Sequence, residues 1–327
     1  MAYLRVSGRF EVQVAVLTGH GVMGNYNMHT TVRVVHGGRV YEVPALTGNA
    51  FKHWHSVHAA RAYEAMGGKM LNEYCRAGVG LRGKDLSGQD AETEAEAIKD
   101  FCNDLHGFLI PDQQLKRDSL AKFAFAIPVL SGEVLESVSK FAVTHNRVDP
   151  TKKGKETEMM VFRQEYSSGH LYGFAASFDL AYLGATMYDH LAGKEGGVVL
   201  DVDERVRRAK AAFAGLLAVL AGGFGSKAAR ALPITDLREL VVAVSPQPIP
   251  PLVHGAYPDY VAKSLEVLAA YLGAVGGSAD VLCFGVDCAR MDNRVKARRV
   301  GSLSELEGEV MKLLESYIKS GGEKGRR

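Results

Sequence analysis

Apolar and polar positions in the first 70 residues follow two different periods. Residues 2–17 alternate between the two classes and are rich in Val and Phe, which is typical of a β-strand. Residues 30–45 contain two strand-like runs on either side of "HGG" and predict a β-hairpin. From Gly48 to Met66 the spacing becomes helical, and Gly67-Gly68 ends the helix. The predicted apolar stripe of this helix contains Phe51, Trp54, Val57 or His58, Ala62 and Met66.

The rest of the chain alternates between strand-like and helix-like segments. Helices are predicted at 91–106, 201–223 (capped by Asp201 or Asp203), 258–277 and 302–319. Strands are predicted at 121–130, 135–145, 159–166, 170–184, 235–245 and 279–287. Loops are predicted at 17–29, 78–92, 146–158, 222–233 and 245–258. Because the strands occur in runs, the pattern favours an α+β fold around a mixed or antiparallel sheet over a doubly wound parallel sheet.

The domain organisation follows from the absence of a long linker. We predict a single domain over residues 1–327, with its core at about 1–66, 121–145 and 166–300. Insertions are expected at about 67–120, mainly helical, and at about 145–165, as a hairpin. The polar residues 148–158 are expected to be poorly ordered in the isolated protein.

Composition excludes several classes of protein. The chain has 47% apolar and 23% charged residues, which is typical of a globular protein, and no apolar run approaches a membrane span. The N-terminus enters a strand directly, so we expect no signal peptide and a cytoplasmic location. Cys75, Cys102, Cys283 and Cys288 form no CxxC pair, which argues for a reducing compartment and against disulfides or a zinc knuckle.

Charge and catalytic motifs narrow the function further. The net charge is only +2, and the basic runs at 205–210 and 294–299 are interpreted as solvated helix faces. "GGFGSK" fails as a phosphate-binding P-loop because Ser226 precedes Lys227, where that motif requires glycine. No G-x-G-x-x-G sequence joins a predicted strand to a predicted helix, and the H-E-x-x-H and G-x-S-x-G patterns are absent, so no cofactor, metal or catalytic residue is assigned.

The front of the helix at 48–66 raises a question of its own, because Lys52, His53, His55 and His58 crowd its first turns. A metal site would need a further ligand, and a histidine on an apolar helix face is more often a partly buried imidazole. A phosphate site fits better, because free N–H groups and the positive end of the helix dipole lie beside Lys52. "GSKAAR" offers two further cations on another glycine-rich loop.

Five segments taken in order resemble a known family. They are "GNYNMHTTVRVV", "YEVPALTGNAFKHWHSVHA", "VTHNRVD", "HLYGFAASFDLAYLG" and "GGFGSKAARALPI". Together they resemble the DevR-like CRISPR-associated backbone subunit of archaeal subtype I-A Cascade, a member of the RAMP superfamily. The likeness spans about residues 5–290, and "VPALTGNAFKHWH" is its most specific part.

The resemblance implies both a fold and a function. The fold would be a crescent-shaped, modified ferredoxin-like (RNA-recognition-motif) core with helical fingers and a β-hairpin thumb. The function would be non-catalytic: copies of the subunit polymerise along CRISPR RNA, with other Cascade subunits as partners and target DNA recognised through the guide. This chain has no Asp between Glu11 and Glu42, where RNA-cutting relatives carry one, so we expect no nuclease activity.

The resemblance also implies an RNA-binding set of thirteen residues. The members are Gly24, Asn25, Asn27, Thr47, Gly48, Asn49, Lys52, His53, His145, Asn146, Arg147, Lys227 and Arg230. A guide-independent subunit should hold phosphate and ribose rather than base edges, and these residue types suit that task.

Two alternatives from other functional classes stay open at this stage. One is a metal-dependent ribonuclease that uses His53, His55 or His58 with a distant carboxylate. The other is a regulatory protein-interaction module, which no sequence feature specifically supports.

Overall fold

The computed structural model describes residues 1–148, 151, 158–193, 196–225, 231–288 and 293–324, and only the backbone at 146–148, 158–162, 168, 190, 192 and 322–324. The strands are β1 (Tyr3–Ala15), β2 (Gly19–Met23), β3 (Tyr26–His29), β4 (Thr31–His36), β5 (Arg39–Pro44), β6 (Phe108–Ile110), β7 (Leu115–Arg117), β8 (Ala121–Phe123), β9 (Ile127–Pro128), β10 (Ser139–Val148), β11 (Glu158–Ser168), β12 (Leu171–Phe178), β13 (Ile234–Ser245), β14 (Ala279–Phe284) and β15 (Val295–Arg299). The helices are α1 (Gly48–Ala65), α2 (Glu73–Arg76), α3 (Glu94–Ala97), α4 (Phe101–His106), α5 (Gly132–Ser137), α6 (Val202–Leu220), α7 (Tyr260–Val275) and α8 (Leu303–Lys324).

The central sheet is built on β1, which pairs with a long strand on each side. Its neighbours are β12 and β13, and both pairings are antiparallel. β8 pairs antiparallel with the outer side of β12, so the order β13-β1-β12-β8 forms an antiparallel core. β14 and β15 extend the sheet beyond β13, with the last pairing parallel. This is a mixed α+β architecture.

Alternating residues of the strands face two separate hydrophobic cores. On one face α1, α6 and α8 pack against Leu240 and Val242 of β13, together with Phe10 of β1. α1 and α6 approach so closely that a Cβ at Gly215 would lie 2.6 Å from the Ala59 Cα. On the other face Val241 packs with α7 in the second core.

The loop between β13 and α7 closes the second face of the sheet. Ser7 Oγ donates to the Val253 carbonyl at 2.7 Å, and Arg9 Nε donates to the Gly255 carbonyl at 2.8 Å. A Cβ at Gly255 would lie 2.1 Å from the Gly8 carbonyl oxygen, so the backbone of this loop is in direct contact with the backbone of β1. The middle of β1 therefore has no open face.

The predicted insertion, residues 67–120, is anchored to α6 by buried charges. The Asp104 carboxylate binds Arg117 at 2.6 Å and Arg208 at 2.7 Å, and all three side chains are fully buried. Arg117 also binds the buried Glu94 at 2.8 Å, while the Gly184 N–H donates to Asp104. These partners come from α3, α4, β7, α6 and the 180–188 segment, so the network ties the insertion to the core.

Several predictions from local sequence signals are confirmed. α1 and the β4–β5 hairpin match the predicted helix and hairpin. Asp201 caps α6 by accepting a hydrogen bond from the Glu204 N–H at 2.8 Å. Ser302 caps α8 in the same way through the Glu305 N–H at 3.1 Å.

Other predicted elements were wrong. The predicted loop at 17–29 is the β2–β3 hairpin, whose β2 strand is fully exposed and therefore lacks an alternating pattern. The predicted helix at 91–106 is divided into α3 and α4, because Asp100 accepts from the Asn103 N–H and starts a new helix. The predicted strand at 135–145 begins as the end of α5.

The interpretation of the basic runs as solvated helix faces was also wrong. Arg205 and Arg208 of α6 are buried, where Arg208 pairs with Asp104 and Glu204. The run at 294–299 mostly forms the edge strand β15 rather than a helix. The predicted stripe of α1 is rotated: Met66 is exposed, whereas His55 and Tyr63 are fully buried.

The cysteine prediction is corrected as well. The structure joins Cys75 to Cys102 and Cys283 to Cys288 as disulfides. The first bond links α2 to α4 inside the predicted insertion, a pairing that local spacing does not reveal because the two cysteines are 27 positions apart.

None of the helices in the described ranges combines the length and apolar character needed to cross a membrane.

Removing the charge of Asp104 tests the buried network. Asp104→Asn leaves two guanidinium groups buried beside a neutral amide, so we expect the free energy of unfolding to fall by about 3–5 kcal/mol. Urea denaturation measures this change, with Asp112→Asn, at an exposed position of the same insertion, as the matched control. Equal stability of the two variants would contradict the anchoring role.

Candidate functional site

The start of α1 is held by two threonines. Thr47 is the N-cap, and its Oγ1 accepts a hydrogen bond from the Ala50 N–H at 3.2 Å. Thr18 Oγ1 in turn accepts from the Thr47 N–H at 3.0 Å. Gly48 is buried, and a Cβ there would lie 2.4 Å from the Phe123 carbonyl oxygen, so its glycine is required by packing against β8. Asn49 is exposed at this helix end.

Lys52 is a half-buried cation with another cation as its neighbour. Burial and, to a smaller extent, the nearby Arg82 guanidinium together lower the pKa of its ammonium group to about 8. The same two causes lower the pKa of His53. Among the described residues no carboxylate forms an ion pair with Lys52. An uncompensated, partly desolvated ammonium group is a favourable partner for an external anion.

Arg82 is a site residue that the sequence analysis missed. Its Nη1 donates to the His106 carbonyl at 2.9 Å, which fixes the guanidinium beside the first turns of α1. Arg82 lies thirty positions after Lys52, in a glycine-rich loop of the insertion. The only local signal was a cation between glycines, and such residues are common on protein surfaces.

The β2–β3 hairpin carries the second predicted group, Gly24, Asn25 and Asn27. β3 runs parallel to β11, and the Arg163 N–H donates to the Asn25 carbonyl at 2.8 Å. The Thr30 N–H donates to the Thr18 carbonyl at 2.8 Å and closes the hairpin, and Thr18 Oγ1 joins it to the start of α1 by accepting from the Thr47 N–H.

The third predicted group lies on β10, on the other side of β11. His145, Asn146 and Arg147 pair with Phe162, Val161 and Met160 of β11. β3 and β10 therefore flank the same strand, at about 10 Å from each other across the sheet. The side chains of Asn146 and Arg147 lie outside the described part of the structure. Arg163 on β11 is exposed between the two strands and is a second cation that the sequence analysis missed.

The fourth predicted group, Lys227 and Arg230, lies outside the described residues. The segment that precedes these two residues is held against α1, because the His58 Nε2–H donates to the Gly223 carbonyl at 2.8 Å. A Cβ at Gly225 would lie 2.9 Å from the Val16 carbonyl oxygen. The loop thus starts beside α1 and close to the Thr18 contact.

Comparison with known proteins identifies the family. The family model described as "CRISPR-associated negative auto-regulator DevR/Csa2" matches residues 6–265. A "CRISPR-associated protein Cas7/Cst2/DevR" from Thermoproteus tenax is 57% identical over 319 residues, which cover 95% of each chain. The chain belongs to the DevR/Csa2 family.

More distant DevR/Csa2 relatives agree with this assignment. A protein of the same name from Methanocaldococcus jannaschii is 34% identical over 81% of this chain and 88% of its own. A "CRISPR-associated aCascade subunit Cas7/Csa2 2" from Saccharolobus solfataricus is 26% identical over 83% of this chain and 88% of its own.

Among solved structures, a chain titled "CRISPR RNA-guided surveillance complex" covers 98% of this chain and 99% of its own length, at 14% identity and a TM-score of 0.46.

The three histidines at the front of α1 do not converge in this DevR/Csa2 chain. His53 packs edge-on against Trp54, with ring centroids 5.2 Å apart, and His58 is bound to Gly223. The fully buried His55 Nε2–H donates to the Ala212 carbonyl at 2.9 Å. In the described part of the chain one group, Cys75, Asp100 and Cys102, has metal-ligand spacing, and its two cysteines form a disulfide. The metal-site alternative therefore loses its proposed ligands.

His55 also forms a buried hydrogen bond with a second histidine. Because His55 Nε2 carries a proton for Ala212, its Nδ1 accepts from the His106 Nε2–H at 2.8 Å. This pairing needs a neutral His55, because its Nδ1 must keep the lone pair that accepts the hydrogen bond. Burial lowers the pKa of His55 to about 4 and also lowers that of His106. Since the backbone of His106 holds Arg82, the pair supports the site from beneath.

The histidine pair predicts a loss of stability in acid. The unfolded chain takes up protons below about pH 6.5, whereas His55 in the folded chain stays neutral down to about pH 4. Stability should therefore fall between pH 6.5 and 4, by about 3 kcal/mol from His55 alone. Urea midpoints measured across this range test it. His55→Gln should flatten the profile, and the exposed control His20→Gln should not; identical profiles for both would refute the assignment.

Proposed function

We propose that this protein is a non-catalytic backbone subunit of a CRISPR surveillance (Cascade) complex. It binds CRISPR RNA through the sugar–phosphate backbone and polymerises along it, so that the guide recognises target DNA in antiviral defence. Its partners are CRISPR RNA, further copies of the chain and other Cascade subunits, and the role is cytoplasmic and needs no cofactor. The observation that carries the proposal is Lys52, a half-buried ammonium group beside Arg82 at the capped start of α1.

The topology supports an RNA-recognition-motif core. β1, α1, β8, β12, α6 and β13 follow one another along the chain as strand, helix, strand, strand, helix, strand. Their sheet order β13-β1-β12-β8, antiparallel throughout, is that of a ferredoxin-like fold. The elements that lie between these six are then insertions: 67–120 forms the fingers, and the β10–β11 hairpin contains the thumb proposed at 145–165.

The closed sheet face decides where RNA can bind. An ordinary RNA recognition motif stacks bases on its open sheet. Here the loop with Val253 and Gly255 covers that part of β1. We therefore expect RNA to bind at the rim, which is the surface formed by the start of α1, the β2–β3 hairpin and the first residues of the β10–β11 hairpin.

The residue types on this rim suit a guide of any sequence. Lys52, Arg82 and Arg163 offer charge to phosphates, while Asn25 and Asn27 offer polar groups to ribose and phosphate oxygens. Phosphate contacts position a strand without selecting its sequence. The small net charge of +2 is compatible with this role, because many copies act on one strand and their weak contacts combine.

Substitution of Lys52 tests the proposal. Lys52→Ala should weaken binding of unrelated single-stranded RNAs by similar factors. It should also reduce the slope of log K against log[salt] by about 0.7, because one phosphate contact is lost. Gel shifts or fluorescence anisotropy at several salt concentrations measure both quantities. Lys312→Ala, at a highly exposed lysine of α8, is the matched control.

Two outcomes would contradict the proposal. One is that wild-type protein fails to bind single-stranded RNA at low salt. The other is that Lys52→Ala affects one RNA sequence strongly and others hardly at all, which would indicate base recognition.

A further inference from the structure

The loop from Gly78 to Arg82 exposes two aliphatic side chains close to the cations of the site. Val79 is 64% exposed and Leu81 is 46% exposed. Gly78 and Gly80 have φ angles of 69° and 79°, in the region that favours glycine, so the loop turns sharply around both residues. Aliphatic side chains that stay exposed at a defined turn are candidates for contact with a partner.

The loop lies directly against the front of α1. A Cβ at Gly80 would be 3.6 Å from His53 Nδ1. His53, Gly80, Leu81 and Arg82 line the same small cavity, so they are immediate neighbours. The two exposed aliphatic residues therefore border the Lys52, His53 and Arg82 cluster.

The loop is held in place from both ends. The Gly83 N–H donates to Asn103 Oδ1 at 2.8 Å, and Arg82 is bound to the His106 carbonyl at 2.9 Å. The Cys75–Cys102 disulfide ties the preceding helix α2 to the same helix α4. The exposure of Val79 and Leu81 is thus built into a braced loop, and a partner would meet a preformed surface.

We propose that Val79 and Leu81 form an apolar platform for a nucleoside of the bound RNA. The inference rests on the proposed function and extends it from phosphate binding to nucleoside contact. The adjacent cations select an anionic partner, and an RNA nucleotide combines a phosphate with an apolar base face. Every base has such a face, so aliphatic contact adds affinity without reading sequence.

Abasic RNA separates this contact from phosphate binding. Wild-type protein should bind a single-stranded RNA more tightly than the same ribose–phosphate chain without its bases. The double variant Val79→Ala, Leu81→Ala should lose about tenfold in affinity for the normal RNA, toward the lower end of the range for a base stacked on an aromatic side chain. It should bind the abasic chain as tightly as wild type does, because Lys52 and Arg82 are retained. Leu109→Ala, at a 65% exposed position of the same insertion, is the matched control and should change neither affinity.

The outcomes distinguish the platform from the proposed function. Unchanged binding of normal RNA by the double variant would overturn the platform and leave phosphate binding intact. An equal loss on both RNAs would also overturn it, since the residues would then act only by supporting the cations. If wild-type protein bound neither RNA, the proposed function itself would fail. Leu81→Phe supplies an independent check: the platform predicts tighter binding of normal RNA alone, and no change in its affinity would count against it.

Discussion

The buried contact of Asp104 with Arg117 and Arg208 fixes the position of the residues that the predicted insertion contributes to the site. Both guanidinium groups share the Asp104 carboxylate, and without it Arg117 would keep only Glu94 and Arg208 only Glu204 as a charged partner, so burying these charges requires the three groups to stay together. This requirement fixes α4 against α6. α6 packs on α1, and the last residue of α4, His106, holds Arg82 through its carbonyl. The network thereby brings a cation of the insertion to the first turns of α1.

The resulting cluster is unfavourable for the isolated protein. Burial and Arg82 both disfavour the charged form of Lys52, and the described residues supply no carboxylate to compensate it. The neutral, hydrogen-bonded histidines beneath it add no negative charge either. A cluster of this kind gains stability from a polyanion, and at the edge of an otherwise closed sheet it is accessible to one. The same reasoning is consistent with the proposed RNA binding by a chain of almost balanced charge, because the local arrangement of charges matters more than their total.

The sequence predicted those parts of the fold that depend on neighbours along the chain. α1, the β4–β5 hairpin and the caps of α6 and α8 have signals within a few residues, and the structure contains them. Prediction from the sequence failed where contacts with residues distant along the chain decide the local structure. β2 is a strand only because β3 pairs with it. Arg208 can be buried only because Asp104, from a distant part of the chain, forms an ion pair with it. The disulfide between Cys75 and Cys102 is invisible to spacing rules for the same reason.

The candidate site shows the same division. Lys52 and Thr47 could be selected from the sequence because a cap, a glycine and a cation at a helix start form a local motif. Arg82, Thr18 and Arg163 could not, since each reaches the site through tertiary contacts. The histidines were ambiguous in the sequence, and their separate hydrogen bonds in the structure assign two of them to packing.

Lysine footprinting tests the central claim most directly. The protein is treated briefly with an amine-acetylating reagent at pH 8, with and without single-stranded RNA, and each lysine is quantified by mass spectrometry. With its pKa near 8, Lys52 should react readily in the free protein and be strongly protected by RNA, whereas Lys312 should react equally in both samples. Equal labelling of Lys52 under conditions where RNA is bound would contradict the account.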